Sequence, residues 1–214
     1  MLFAQSVPGI VVPQYVKDEL HYWMDYIQNS NGGAGYDSPG YLVNESKTGG
    51  LLVQMAFTGY PGSSSGPGDL SDKAGAIAYL NANWRQFASG TWYGNFAHPY
   101  SMWSVYKGLE STIGLEGGDI TNFLYAGASQ IKDDPSDVWN WWEDYSQYLV
   151  ETQAGSGAWP GYDYWPSTLA TAWNINILNA TAIPDGDVPE PASLALLGLG
   201  VAGLAAVRAR RRRD

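Results

Sequence analysis

The chain has 214 residues, no cysteine, and 11 Lys/Arg against 21 Asp/Glu, a formal net charge of −10. The lack of cysteine excludes a disulfide framework and any thiolate metal site. Five of the eleven basic residues lie in 208–213, so residues 1–191 carry six Lys/Arg against twenty Asp/Glu, a net charge of −14, which argues against nucleic acid as a partner.

The first segment, residues 1–14, places only Leu2, Phe3 and Ala4 between Met1 and the polar Gln5 and Ser6. An export leader needs a basic stretch and roughly 7–15 apolar residues. For a chain whose other end reads as an export signal (below), the expectation is a start upstream of Met1; an unusual export route is the alternative.

Residues 15–183 repeat a pattern. Val16, Leu20, Trp23, Met24 and Ile27 fall on one helical stripe, as do Val138, Trp141, Trp142, Tyr145, Tyr148 and Leu149. Each stripe runs into a glycine-rich turn. Trp23-Met24 leads to Gln28 and Gly32-Gly33-Ala34-Gly35-Tyr36, and Tyr148-Leu149 leads to Gln153, Gly157 and Trp159. In a middle copy, Tyr79-Leu80 precedes Trp84 where a glutamine is expected, and Gly90-Thr91-Trp92 closes the unit. A second apolar helix follows every turn, at roughly 45–59, 98–114 and 166–180. The pattern predicts three helical hairpins, at about 15–59, 71–114 and 136–180.

The unit aromatic-Leu-x3-Gln-x3-Gly-x-Trp followed by a second helix resembles the repeat of the terpenoid cyclase and prenyltransferase toroids. Residues 148–159 match it fully and the first two copies in part. The resemblance implies an all-α fold in which (α/α) hairpins stack as outer and inner helices, here as a partial toroid of three hairpins. It also implies structural roles for Gln28, Gln153 and Trp159, the glutamines bonding to backbone at neighbouring helix ends, and Trp84 departs from it. Three unrelated amphipathic hairpins are the alternative.

Two segments interrupt the repeat: a linker, Gly59 to Gly68, and an insertion, residues 114–135, that ends near Ser136, a candidate helix cap. Long loops in such folds contact ligands or simply connect. The family's chemistry does not carry over. Asp133-Asp134-Pro135-Ser136-Asp137 lacks the Asp-x-Asp-Asp spacing of the cyclases, and without cysteine the prenyltransferase zinc site cannot form. No metal site and no cofactor are expected.

Two groups of residues remain as candidate sites. Asn95, His98 and Tyr100 stand at the start of an inner helix, where a lyase would use a histidine base, a tyrosine acid and an asparagine donor; the favoured alternative is that His98 and Tyr100 cap and pack the helix. Tyr36-Asp37 and Asp163-Tyr164-Trp165 occupy equivalent turns, and rings beside carboxylates suit sugar binding. Packing is the competing reading for Tyr164 and Trp165 and the preferred one for Trp92 and Trp159. Glu45 and Asp37 are further candidates for a cavity rim. The acidic surface argues against uronic-acid polymers as substrates, since like charges slow encounter.

After a linker at 184–191, Ala192 to Val207 contains only Ala, Leu, Val, Gly and one Ser, followed by Arg208, Arg210, Arg211, Arg212 and Arg213 in the tail 208–214. As a helix, residues 192–207 span about 24 Å, short of a full hydrocarbon core but extended by snorkelling arginines, and the basic flank predicts a cytoplasmic C-terminus. Pro189, Glu190 and Pro191, the apolar helix and the arginine cluster together resemble the PEP-CTERM sorting signal. That resemblance implies an exosortase partner, export through transient residence in the inner membrane, and delivery to the cell surface or extracellular matrix. The combined expectation is a surface or exopolysaccharide-matrix protein whose toroid-repeat domain binds glycan or envelope components without catalysis. The alternatives are a polysaccharide lyase-like enzyme and a truncated terpenoid-cyclase relative.

Overall fold

A computed structural model describes residues 9–59, 72–126 and 139–180. The chain divides into two units, Met1–Ile183 and Pro184–Asp214. The second unit lies outside the described residues, and with it the Pro-Glu-Pro motif, the apolar segment 192–207 and the arginine tail. Ser136 and Val138 also lie outside them.

The described residues are all-α, with six helices and no strand: α1 Gln14–Ile27, α2 Glu45–Thr58, α3 Lys73–Ala82, α4 Pro99–Thr112, α5 Trp141–Thr152 and α6 Ser167–Leu178. The starts follow local chemistry. Asn44 accepts from the Lys47 N–H to cap α2, and His98 accepts from the Ser101 N–H to cap α4 ahead of Pro99. Asn140 and Glu143 form a reciprocal capping box on α5. Gly59, in the left-handed conformation at φ 79°, ends α2.

The second helix of each pair packs on the next, α2 against α4 and α4 against α6, while α1 and α3 pack on α2 and α5 packs on α6. The α2–α4 contact is made backbone to backbone. A Cβ at Gly108 would come within 2.5 Å of the Gly49 carbonyl oxygen, and one at Gly49 within 2.6 Å of the Ser104 backbone. Ser104 Oγ donates to the Ser46 carbonyl at 2.6 Å across the same seam.

One core runs through the helices, from Met24, Leu51, Leu52 and Met55 through Leu80, Trp84, Phe96 and Leu109 to Trp141, Tyr145, Leu149 and Ile177. Met24 and Ile27 carry the buried stripe of α1. Trp23, read as part of that stripe, is 39% exposed and leans on Tyr26 at 5.9 Å between ring centroids. Positions 16, 20, 24 and 27 advance along one face, and 23 falls on its flank.

The glutamines close the turns as the repeat implies. Gln28 Nε2 donates to the carbonyls of Gly32 and Asp72, both at 2.8 Å, and its Oε1 accepts from the Asp72 N–H at 2.5 Å, which ties the end of α1 to the start of α3. Gln153 Nε2 donates to the Gly157 carbonyl at 2.8 Å, four residues on as in the first copy. Gly32 and Gly157 both take positive φ, 91° and 82°.

Trp84 replaces that glutamine by a different device. Its ring stacks on Tyr145 at 4.7 Å, and its indole N–H donates to Asp144 Oδ2 at 2.6 Å. Part of the insertion joins this node: the N–H groups of Leu124 and Tyr125 donate to the same buried carboxylate at 2.7 and 2.6 Å. Asn81 bonds the backbone of Thr121 and Asn122, so residues 120–125 form a pinned strap.

The glycine seam yields a paired prediction. Gly108→Ala forces α2 and α4 apart and lowers stability by about 1–3 kcal/mol, as overpacking does. Gly50→Ala meets only Ser104 Oγ at 3.9 Å and raises it by about 0.5–1 kcal/mol, the helix-interior gain of alanine over glycine. Urea unfolding of the two variants checks both signs.

Candidate binding cleft

Three turns that lie far apart in sequence meet beside the first turns of α2 and α4. Residues 90–94 of the middle pair are clamped by both neighbours. Asn44 Nδ2 donates to the Trp92 carbonyl at 2.5 Å, and the Tyr162 hydroxyl donates to the Gly90 carbonyl. From below, the Gly94 N–H donates to Glu45 Oε2 at 3.2 Å. Only glycine fits position 94, where φ is 98° and a Cβ would stand 2.2 Å from the Phe87 carbonyl oxygen.

The result is a cleft of about 380 Å3 lined by Tyr36, Tyr41, Leu42, Ser46, Lys47, Trp92 and Tyr100. Its aromatic wall continues beyond these residues. Trp165 stands edge-on to Trp92 at 6.0 Å and lies parallel to Tyr100, 5.1 Å between centroids at 3°. Tyr164 is 75% exposed, 6.4 Å from Trp92, at the tip of a tight turn closed by two backbone bonds between Tyr162 and Trp165. A second groove, of about 490 Å3 beside Gln28 and Asp72, is lined by polar and small residues without an aromatic wall.

The predicted site residues separate into two groups. Tyr36 lines the cleft, and Tyr164 and Trp165 extend its wall. Asp37 and Asp163 are exposed on the turns and do not line it; Asp37 accepts from the Ser38 hydroxyl, and Asp163 takes φ 48° at the turn tip. Glu45 is not a rim residue but is buried beneath the middle turn, where desolvation pushes its carboxyl pKa up against the bond from Gly94.

Asn95, His98 and Tyr100 do not converge on a common point. Asn95 is buried, donating to the Trp84 carbonyl at 3.0 Å and accepting from the Tyr145 hydroxyl. Burial pushes that phenol well above its ordinary value, which keeps it the donor. His98 is buried with both ring nitrogens engaged: Nδ1 accepts from the Ser101 N–H at 3.3 Å and Nε2 donates to the Thr91 carbonyl at 3.1 Å. Its ring lies 4.8 Å from Trp165 and 5.0 Å from Tyr162, so it braces the wall from behind. Of the three, Tyr100 alone reaches the cleft.

Trp92, read as turn packing, is 40% exposed and forms one wall, whereas Trp159 is buried with its indole N–H on the Leu149 carbonyl at 2.8 Å. Sequence reasoning missed Lys47 entirely. It is half-buried, with Nζ 5.7 Å from the Tyr36 ring centroid and 5.9 Å from that of Trp92. Desolvation lowers its ammonium pKa, opposed by the nearby Glu45 carboxylate. No group of three or more His, Asp or Glu among the described residues is placed to hold a metal ion.

Comparison with known proteins identifies the PEP-CTERM protein-sorting motif at residues 187–213. The motif supports sorting of this chain by an exosortase toward the cell surface. No curated protein and no solved structure matches the chain. No helix among the described residues is long and apolar enough to cross a membrane.

The geometry at His98 makes a pH prediction. Burial pulls its pKa below the ordinary 6.5, outweighing the bond to Thr91 that raises it; Lys47 lowers it and Asp163 raises it by smaller effects. The unfolded chain therefore binds the proton more readily, and the contribution to stability is complete above about pH 6.5 and declines as pH falls through the lower folded-state value. Denaturant unfolding between pH 7.5 and 5 is expected to show this decline in the native chain. His98→Asn, which keeps a capping acceptor, is expected to lack that component.

Proposed function

We propose that this is an exported surface or matrix protein whose helical unit binds glycan, or another hydroxyl-rich envelope component, in the aromatic cleft without catalysing a reaction. The observation that carries this reading is the convergence of Tyr36, Trp92 and Trp165, one from each of the three turns, around a single cleft. Aromatic faces receive the C–H side of sugar rings, and the Tyr41, Tyr100 and Ser46 hydroxyls border the same space.

The non-catalytic form of the reading rests on His98 and Asn95. A general base needs a free lone pair within reach of substrate, and the hydrogen bonds of His98 and Asn95 are committed to the fold. The same reading takes the helical unit as an arc of toroid-type hairpins. It is supported by the succession α2, α4, α6 and by the recurring glutamine link at Gln28 and Gln153. The membrane step belongs to the proposal as well, with residues 192–207 as the transient anchor and the host's exopolysaccharide as the expected partner.

The test is binding of the full chain to polysaccharide secreted by its own host, measured by affinity electrophoresis. Trp165→Ala combined with Tyr164→Ala is expected to weaken retention at least tenfold while leaving helical content unchanged, since stacked rings are worth about 1–3 kcal/mol per site. His98→Asn is expected to retain binding. Unchanged retention in the double variant would remove the cleft from the account.

A further inference from the structure

Lys47 is an unusual cation for a chain so rich in acid. Two ring faces flank it, and the single ion pair within 4 Å among the described residues joins Lys107 to Glu110 elsewhere. The carboxylate nearest in sequence, Glu45, is buried beneath the middle turn and occupied by the Gly94 N–H. The Lys47 ammonium, which carries three donors, has no acceptor among the described residues and lies on the cleft lining. An ammonium is strongly hydrated, and contact with ring faces recovers only part of what half-burial removes.

We propose, resting on the glycan reading above, that the cleft selects saccharides bearing a carboxylate, with Lys47 as the residue that recognises the charge. The ring of the sugar lies against the wall formed by Trp92, Trp165 and Tyr100, and its carboxylate accepts from Lys47 Nζ between Tyr36 and Trp92. A volume of about 380 Å3 falls within the range of small-ligand sites, about 300–1,000 Å3. The acidic envelope, which argues against uronic-acid polymers from composition alone, acts at long range and is screened beyond about 8 Å at physiological ionic strength. It slows encounter, whereas the preference inside the cleft follows the local charge, and there that charge is positive.

The experiment is calorimetric titration of the full chain with short oligomers of galacturonate, glucuronate and mannuronate, each beside its carboxyl-reduced neutral counterpart. At least one acidic oligomer is expected to bind about tenfold or more tightly than its counterpart, the discrimination a charge-assisted hydrogen bond supplies. Lys47→Met is expected to bring that ratio to about one without weakening the neutral oligomer, and Lys47→Arg to preserve it. The Lys47 side chain makes no hydrogen bond that holds the fold, and near-native circular dichroism of both variants is the control. Equal or tighter binding of the neutral oligomers across the series, or an acid preference that survives Lys47→Met, would overturn the proposal while leaving glycan binding intact. Absence of binding to every oligomer, acidic and neutral, would count against both.

Discussion

The cleft depends on how the middle turn is held. Residues 84–98 carry Trp92 on one side and His98 on the other, and Trp84 anchors their start between Tyr145 and Asp144. Asn95 closes the loop by bonding the Trp84 carbonyl and the Tyr145 hydroxyl together. Buried donors and acceptors left without partners cost about 1–3 kcal/mol each. This small network, fully paired, thus fixes the turn against α5 and forbids the alternatives. The neighbouring turns then have a rigid piece to grip, through Asn44 on one side and Tyr162 on the other.

That arrangement explains why a tryptophan can stand where the repeat uses glutamine. Gln28 and Gln153 each reach four residues forward to a glycine carbonyl, and Gln28 reaches across to the next helix as well. Trp84 instead reaches sideways to α5, and in doing so recruits the strap at 120–125 through the same Asp144 carboxylate. The insertion expected to contact a ligand or to connect helices is, over those residues, part of the fold's bracing. The indole N–H groups divide accordingly. Those of Trp84, Trp141, Trp142 and Trp159 are spent on structural acceptors, whereas Trp92 and Trp165 present rings to the cleft.

Much of the helical framework was legible in the sequence because it is written locally. Apolar periodicity marks α2, α4 and α6, asparagine and histidine mark helix starts, and the Gln-x3-Gly spacing marks the turns. The site was legible only in part. Tyr36 and Trp165 could be singled out as turn aromatics beside carboxylates, but the carboxylates themselves, Asp37 and Asp163, point the inference at the wrong partner. Lys47 reads as an ordinary solvated lysine in a first helical turn, and nothing local tells that Trp92, 45 positions on, will lie over it. Asn95 and His98 look catalytic by type. Their partners Tyr145 and Thr91 decide otherwise, and the former is 50 residues away. Long-range pairing of this kind leaves no local signature.

The sorting motif and the cleft fit one picture, in which the tail directs the chain outward and the aromatic wall supplies a surface for what it meets there. The most direct measurement is an NMR titration of the indole N–H resonances of the full chain with oligosaccharides cut from the host's secreted polysaccharide. The account predicts that the Trp92 and Trp165 resonances move together with increasing ligand while those of Trp84, Trp141 and Trp159 stay in place. Movement confined to the buried indoles, or no movement at saturating oligosaccharide, would contradict it.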